Sequence, residues 1–247
     1  MEKNLSFSVD QVQRVRIKLA WAQAEIVTGA PGEHQLFIAG DEESIDELRV
    51  EHTDGEVAVV QPQLSYAKEV LQRSRWLQIC LRVPPEFRGD IDVDTVTGPI
   101  GANKISCGDV SLTTVSGSIR AKGIESHRAS IHTVTGGITG ENLRADRGSL
   151  RTVSGTATLE AASFGTVKAF TVSGGLNLSL AEGCRTLDIQ SVSGGTRVEV
   201  QGPAKAVLHS IGGRLLLGEE VKSGPGCLEI SASSVTGDLT VRGGKEE

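Results

Sequence analysis

A four-residue box, Thr or Ser, then Val, then Thr or Ser, then Gly, occurs eight times in this chain. The boxes begin at residues 95, 114, 133, 152, 171, 191, 210 and 234, and the seventh has the altered form Ser-Ile-Gly-Gly. Successive starts therefore differ by 19, 19, 19, 19, 20, 19 and 24 residues. A fixed period of this size is typical of one structural unit stacked on itself, so it constrains the fold more than any other feature.

Apolar residues inside each repeat are spaced two apart, which is the periodicity of a β-strand. In the second repeat Val110 and Leu112 precede the box, whereas Ile119 and Ala121 follow it. Each repeat therefore holds two short strands and has no room for a ten-residue helix. Because equivalent residues of successive repeats must stack, we predict an all-β, single-stranded parallel β-helix, a solenoid of ~19-residue coils about 4.8 Å apart. We expect a right-handed solenoid, since parallel crossovers are normally right-handed.

The box is expected to form a structural corner of each coil. Glycine suits a turn that needs a positive φ, and the two hydroxyls can bond to the corner backbone or to the hydroxyl one coil away. The box valine is expected to pack beside the corner. The residues assigned to this corner motif are Thr95, Gly98, Thr114, Gly117, Thr133, Gly136, Thr152, Gly155, Thr171, Gly174, Ser191, Gly194, Ser234 and Gly237.

Residues 1–90 lack the box but keep short runs of alternating apolar residues. We interpret them as an irregular N-terminal β region that caps the solenoid and continues into it, because an exposed solenoid end needs protection. Residues 91–242 are the regular solenoid of about seven to eight coils, and residues 243–247 are expected to be a disordered tail. Insertions are expected at 64–75, the only segment with helical character, and at 219–226.

Composition excludes some partners. The net charge of −6 argues against nucleic acid or a membrane surface as partner, and no run approaches the ~20 apolar residues of a membrane span. The N-terminus has no signal-peptide pattern. The chain as written is therefore expected in the cytoplasm, and at the cell surface only if the native chain has a leader missing here.

We find no residues that predict catalytic, metal or cofactor chemistry. Asp90, Asp92 and Asp94 alternate along one strand, a spacing compatible with a carbohydrase acid pair or a weak calcium site, although a solvated acidic edge explains it more simply. The five histidines lack ligand spacing and are expected on the surface. Asp41-Glu42-Glu43 is expected to be a solvated turn, and Phe170 is the one aromatic candidate for sugar stacking in the column before the box.

The four cysteines form no C-x-x-C pair, which makes zinc and redox sites weak interpretations. Cys107, Cys184 and Cys227 each lie seven residues before a box. This shared position predicts small hydrophobic side chains packed in the core.

Two segments resemble a bacterial family of β-solenoid proteins labelled "putative adhesin". They are Leu77–Pro84, an alternating strand that ends in proline, and Ile91–Gly98 with the box ladder that follows it. The resemblance covers residues 75–242. It implies the solenoid fold and a surface adhesin role, and it carries no catalytic residues. Members of the family often have a secretion signal or membrane anchor, which this chain does not show.

Three functions compete on these grounds. The leading hypothesis is a non-enzymatic scaffold, a rigid solenoid that binds a protein partner or another copy of itself, with open strand edges at the last coil, residues 238–241. The alternative is a surface adhesin or carbohydrate-binding module with a glycan as partner. A polysaccharide-acting β-helix enzyme ranks below both, because the coils are uniformly short and fold alone does not license function.

Overall fold

The computed structural model describes residues 1–8, 12–62, 76–218 and 227–243 of the chain. They form 22 strands and one short helix. The elements are β1 Glu2–Ser8, β2 Arg14–Trp21, β3 Gln23–Thr28, β4 Glu33–Gly40, α1 Glu42–Glu47, β5 Arg49–Thr53, β6 Glu56–Val60, β7 Leu77–Val83, β8 Asp90–Thr97, β9 Ile100–Asn103, β10 Asp109–Ser116, β11 Ile119–Lys122, β12 Glu125–Thr135, β13 Ile138–Glu141, β14 Arg144–Ser154, β15 Ala157–Ser173, β16 Leu176–Leu180, β17 Thr186–Ser193, β18 Thr196–Val200, β19 Ala204–Ser210, β20 Leu215–Leu217, β21 Leu228–Ser234 and β22 Leu239–Gly243.

The strands form two long sheets that are parallel except at the N-terminal end, and each coil gives one strand to each sheet. Sheet 1 runs β5, β6, β2, β8, β10, β12, β14, β15, β17, β21, β19. Sheet 2 runs β1, β4, β7, β3, β9, β11, β13, β15, β16, β18, β22, β20. The long strand β15 bends from sheet 2 into sheet 1, and the boxes link the two sheets.

The register of the coils follows the sequence repeat. Val110 lies opposite Ile91 on one side and Ala129 on the other, each 19 residues away along the chain. The same offset continues through β14 to the C-terminal half of β15. The prediction of an all-β parallel solenoid is therefore confirmed, whereas its right-handedness stays a prediction.

The coils at both ends stack in an order that differs from the chain order. At the N-terminal end the coil of β2 and β3 lies between the coil of β6 and β7 and the coil of β8 and β9. At the C-terminal end the coil of β21 and β22 lies between that of β17 and β18 and that of β19 and β20. Each end is therefore interlaced, and the outermost coil is not the first or last in sequence.

The C-terminal interlacing corrects one expectation from the sequence. Residues 238–241 were expected to offer the open strand edge, but β22 has a parallel neighbour on each side. Among the described residues, the strands with an unpaired outer edge at this end are β19 and β20. The N-terminal end differs in strand direction, because its outermost strands are antiparallel to their neighbours: β5 on sheet 1, and β4 with β1 on sheet 2.

The core is a continuous column of side chains between the two sheets. The inward residues on either side of every box but the seventh are buried, for example Val93 and Ile100 in the first boxed coil and Ile189 and Val198 in the sixth. Phe87 and Phe164 are the largest fully buried side chains. Apolar burial of this extent is the dominant favourable term for a stack of short strands.

The described residues contain one helix, and it lies where the sequence predicted a solvated turn. Asp41 caps α1: its Oδ1 accepts a hydrogen bond from the backbone N–H of Ser44 at 3.0 Å, and Glu42 and Glu43 occupy the first turn. An acidic first turn after an aspartate cap is a favoured helix start. The expected insertions at 64–75 and 219–226, and residues 244–247 of the tail, lie outside the described residues. The division of the chain at residue 90 stays a prediction.

Candidate functional site

The acidic strand β8 lies directly beside a basic strand. Asp90 and Asp92 are opposite Arg14 and Arg16 of β2. Arg14 Nη2 lies 3.4 Å from Asp90 Oδ2, and Arg16 Nε lies 3.9 Å from Asp92 Oδ2. Arg16 Nη1 also contacts Glu56 of β6 at 3.0 Å. These carboxylates form ion pairs across the sheet, an arrangement that supports packing of the coils and does not leave a carboxylate pair aimed at a substrate.

Asp94 differs from the other two carboxylates on this strand. Burial raises the pKa of Asp94 above its usual range, and the neighbouring charge of Asp92 adds to the rise. Lys18, which lies opposite Asp94, acts against this shift. A raised carboxyl pKa is a feature of general acids, but catalysis also needs a convergent partner in a cleft. Asp94 stands on the outer face of sheet 1 and has no such partner among the described side chains.

The sequence suggested that all five histidines lie on the surface, but their environments in the structure differ. His34 on β4 is fully buried, against the expectation of a surface position, and its ring packs edge-on against Phe87 with centroids 4.6 Å apart. Burial lowers the pKa of His34 to about 4, although the charge of Glu86 opposes the shift. Neither ring nitrogen of His34 has a hydrogen-bond partner. Nothing in the sequence around His34 marks it as a core residue except the alternation with Leu36.

The other histidines are too scattered to bind one metal ion. The exposed His127 lies 3.3 Å from Asp146, and His132 lies 3.3 Å from the hydroxyl of Ser149. His209 on β19 is five strands from His132 on β12 along sheet 1, about 24 Å at one strand spacing per step. Within the described ranges no three His, Cys, Asp or Glu side chains are grouped as metal ligands.

All four cysteines are free. Cys107 and Cys184 are buried, whereas Cys80 and Cys227 are half-buried. Burial raises the pKa of Cys107 to about 12 and that of Cys184 to about 11. Such thiols stay protonated at neutral pH and are poor nucleophiles or metal ligands.

The first residue of the box points into the corner. It is buried in seven of the eight boxes, with Ser210 as the half-buried exception. Thr95 Oγ1 lies 2.9 Å from Thr114 Oγ1 and 3.2 Å from the carbonyl oxygen of Gly98. In the last box the hydroxyl of Ser234 accepts from the N–H of Gly237 at 2.8 Å. Most hydroxyls in this column therefore bond to the corner backbone or to the next hydroxyl along the stack, whereas the buried hydroxyls of Thr152 and Thr171 have no hydrogen-bond partner.

The glycine of the box lies where successive coils approach most closely. In every box a Cβ on this glycine would overlap a carbonyl oxygen of the neighbouring coil, as for Gly136 against Gly117. The positive φ expected from the sequence occurs at only four of these glycines: Gly98, Gly136, Gly155 and Gly194. Close approach therefore accounts for glycine at all eight corners, whereas turn conformation accounts for half of them.

The valine of the box points outward and is more exposed than the sequence interpretation suggested. Six box valines are between 37% and 45% exposed: Val96, Val115, Val134, Val153, Val192 and Val235. The alternation of inward and outward side chains breaks at the corner, so the two residues after the buried hydroxyl both face outward. The result is an apolar ridge that runs along the solenoid beside a row of serine and threonine hydroxyls.

The C-terminal end of the solenoid exposes residues that are buried in the other coils. Leu215 and Leu217 of β20 are 45% and 53% exposed, yet their register partners Leu239 and Val241 in β22 are fully buried. Val207 and Ile211 add to this surface at 47% and 86% exposure. We call β19 and β20 with Ile211 the open end. Within the part of the chain that the structure describes, it presents two leucines at core positions together with strand edges that have no neighbour.

A crevice of about 490 Å³ lies at the opposite end, between β1 and β5. Phe7 and His52 line it, and their ring centroids are 5.4 Å apart. Lys3, Arg49 and Glu51 give it a mixed charge. This shape follows from the antiparallel strands β1 and β5, whose pairing the sequence did not reveal.

No helix among the described residues is long and apolar enough to cross a membrane. Comparison with solved structures finds the same fold in a "putative adhesin" from Bacteroides fragilis NCTC 9343, with a TM-score of 0.59 and 11% identity over 98% of this chain and 97% of that one. A "putative adhesin" from Parabacteroides distasonis ATCC 8503 matches with a TM-score of 0.56 and 8% identity over 99% and 97% of the two chains.

A third structure of this fold, from Parabacteroides distasonis ATCC 8503, is described as a "putative lipid binding protein". Its TM-score is 0.53 and its identity is 13%, over 98% of this chain and 96% of that one. At such identities the likeness shows the fold alone. No curated protein matches the chain. The sequence model of one family, Toastrack DUF4097, matches residues 36–242, which is most of the chain, and the protein therefore belongs to the Toastrack DUF4097 family.

Proposed function

We propose that this protein is a non-enzymatic scaffold, a rigid β-solenoid that binds a second copy of itself through the open end. The observation that carries the proposal is the exposure of Leu215 and Leu217, which occupy positions that are buried in the neighbouring coil. Large exposed apolar surfaces next to unpaired strand edges mark sites of association.

A two-fold arrangement of two copies satisfies both sheets at once. A two-fold axis perpendicular to the solenoid axis reverses strand direction, so the edge of each sheet meets an antiparallel strand of the other copy. Such a contact is isologous and closes as a dimer. Head-to-tail growth would instead place the open end against β1 and β5, the outermost strands at the other end, and would give species larger than a dimer.

The boxes serve this scaffold as structural corners. Buried hydroxyls such as those of Thr95 and Thr114 bond within the corner, and the glycine column lets the coils approach closely. We assign no catalytic role to any box residue, because the same four positions recur in coil after coil with the same environment. The corners keep the rod stiff, and the irregular ends carry the interaction.

The test is the oligomeric state of the full chain, measured by size-exclusion chromatography with light scattering. We expect a dimer, and we expect Leu215→Lys/Leu217→Lys to be a monomer because two buried charges would oppose association. The matched control is Val115→Lys/Val134→Lys, which changes two valines of similar exposure, 45% and 42%, on the ridge. A monomeric wild-type protein, or equal dissociation of both variants, would contradict the proposal. Circular dichroism checks that both variants fold.

A second candidate is a surface adhesin with a glycan partner. Two structures of the same fold are named as adhesins, and a flat solenoid face offers room for an extended ligand. This role needs the cell surface as location. Fractionation of the native host with an antibody, together with a glycan array, tests it: a cytoplasmic protein that binds no glycan would contradict it.

A further inference from the structure

We propose that the outer face of sheet 1 holds a binding site for an acidic polysaccharide, centred on strands β12 and β14. This inference deepens the adhesin candidate and rests on a glycan being the partner. Its centre is the pair Ser130 and Ser149, which lie directly opposite each other. Both are half-buried and short, so they form a low floor between longer side chains.

Positively charged or basic side chains flank the serine floor on both sides. Arg128 lies opposite Arg147 on one side, and His132 lies opposite Arg151 on the other. The three arginines are exposed. We call these four residues with Ser130 and Ser149 the cradle. The two flanks are four residues apart along each strand, about 13 Å.

Like charges directly opposite each other across a sheet are unfavourable. Near the N-terminal end of this face the arrangement is the opposite, because Arg14 and Arg16 of β2 face the carboxylates of β8. In the cradle Arg128 contacts Asp109 at 3.4 Å. Among the described residues, Arg147 and Arg151 have no ion pair. An anionic ligand would supply the missing negative charge.

The guanidinium groups are placed for recognition of sulfate or carboxylate groups. Arginine binds such oxyanions through two parallel N–H donors. Arg151 lies over the ring of Phe170, 5.5 Å from the ring centroid, which limits its freedom. Lys168 of β15 lies opposite Ser149 and extends the positive surface by one strand. The serine hydroxyls between the flanks can bond to the hydroxyls of a sugar.

The shape of the cradle favours a linear polymer that lies along β12 and β14. Carboxylates lie beyond it on both sides, Asp109 on the adjacent strand β10 and Asp188 on β17, the strand after β15. A planar anionic membrane would have to approach these carboxylates, whereas a single chain along the strands would not. A peptide would gain no main-chain pairing, because the cradle is on the face of a sheet and not at its edge.

The test measures binding of the full chain to a fluorescent, heparin-type sulfated oligosaccharide by anisotropy, at low and at physiological ionic strength. Arg147→Gln/Arg151→Gln should weaken binding about tenfold or more, since each lost charged hydrogen bond is worth that order. The matched control Arg120→Gln/Arg197→Gln removes two exposed arginines from the outer face of sheet 2 and should change affinity less than about twofold. All of these side chains are exposed, so folding should not be affected.

A second variant separates a defined site from diffuse charge. Ser149→Glu places a carboxylate of the protein between the flanks and should abolish binding to the probe, although most of the positive charge remains. The inference is wrong if the sulfated probe does not bind, if both arginine pairs have equal effects, or if polyglutamate or anionic vesicles bind as tightly through the same residues. Binding of neutral glycans alone would overturn this inference and leave the adhesin candidate standing. If the protein binds no glycan on the glycan array, both this inference and the adhesin candidate are wrong.

Discussion

The carbonyl oxygen of Gly117 occupies the space in which a Cβ on Gly136 would lie. This relationship repeats from coil to coil at the corner, and it explains why the last box position is glycine whether or not its φ is positive. The corner is thus the place where the stacking distance of the solenoid is set by backbone contact alone.

Replacement of this glycine should therefore be costly. We expect Gly136→Ala to lower the free energy of unfolding by about 3 kcal/mol, since overlap with backbone adds to the strain of its φ of +141°. Its neighbour Gly137 is the control, because a Cβ there would lie 3.5 Å from the nearest atom. Urea unfolding followed by circular dichroism measures both, and equal losses would show that backbone overlap is not the cause.

The buried His34 should make stability depend on pH. Its pKa falls from 6.5 to about 4 on folding, so the unfolded chain binds the extra proton between these values. Stability is then complete above pH 6.5 and falls as the pH drops towards 4, by about 3 kcal/mol at pH 4. We expect His34→Phe to lose this dependence. Unfolding curves of both proteins between pH 4 and 7 test this, and parallel pH profiles would contradict it.

Asp94 should destabilise the protein at neutral pH. Burial, aided by the charge of Asp92, raises its folded-state pKa, so the folded protein binds this proton more tightly than the unfolded chain does. Asp94→Asn should therefore stabilise the fold at pH 7 by a few tenths of a kcal/mol, and the gain should vanish as the pH falls below the pKa of the unfolded aspartate. Asp90→Asn, which removes an ion-pair partner of Arg14, should instead be neutral or destabilising. Thermal midpoints at pH 7 and at acidic pH distinguish the two residues, and a destabilised Asp94→Asn would rule out this account.

The repeat alone was sufficient to predict the middle of the solenoid. A single offset of 19 residues places Ser111 beside Ser130 and Leu112 beside Ile131, as the structure shows. This success has a physical basis. Parallel stacking aligns equivalent residues of successive coils, so the spacing of the boxes determines the register of the strands.

The same spacing could not predict the ends. Leu208 and Ala232 are both apolar residues at the same register position, so either could stack on Ile189, and the structure places Ala232 there. Strand β1 is the outermost strand of sheet 2 at the N-terminal end. Its first residues are polar, so apolar and polar residues alternate too weakly for the sequence to predict a strand there. The exposed box valines were misread because a corner puts two successive residues outward, which the two-residue period of a strand does not describe.

The cradle on sheet 1 was the feature of the structure that the sequence predicted least well. Arg128, Arg147 and Arg151 look like ordinary surface residues in the sequence, since they are separated by up to 23 residues. Only the lateral pairing of β12 with β14 brings them around two serines. Charge patterns across neighbouring strands are therefore visible only after the register is known.

The interlaced ends affect how the chain can be synthesised and folded. A simple solenoid can fold coil by coil as it leaves the ribosome, because each new coil stacks on the one before it. Its last coil can also unfold first. Here β17 and β18 pair with β21 and β22, although β19 and β20 are synthesised before β21 and β22. The C-terminal end is thus completed only when the last strand arrives between two coils already made. The outermost coil, β19 and β20, is bound to the solenoid only through β21 and β22. It therefore cannot stay attached if β21 and β22 unfold.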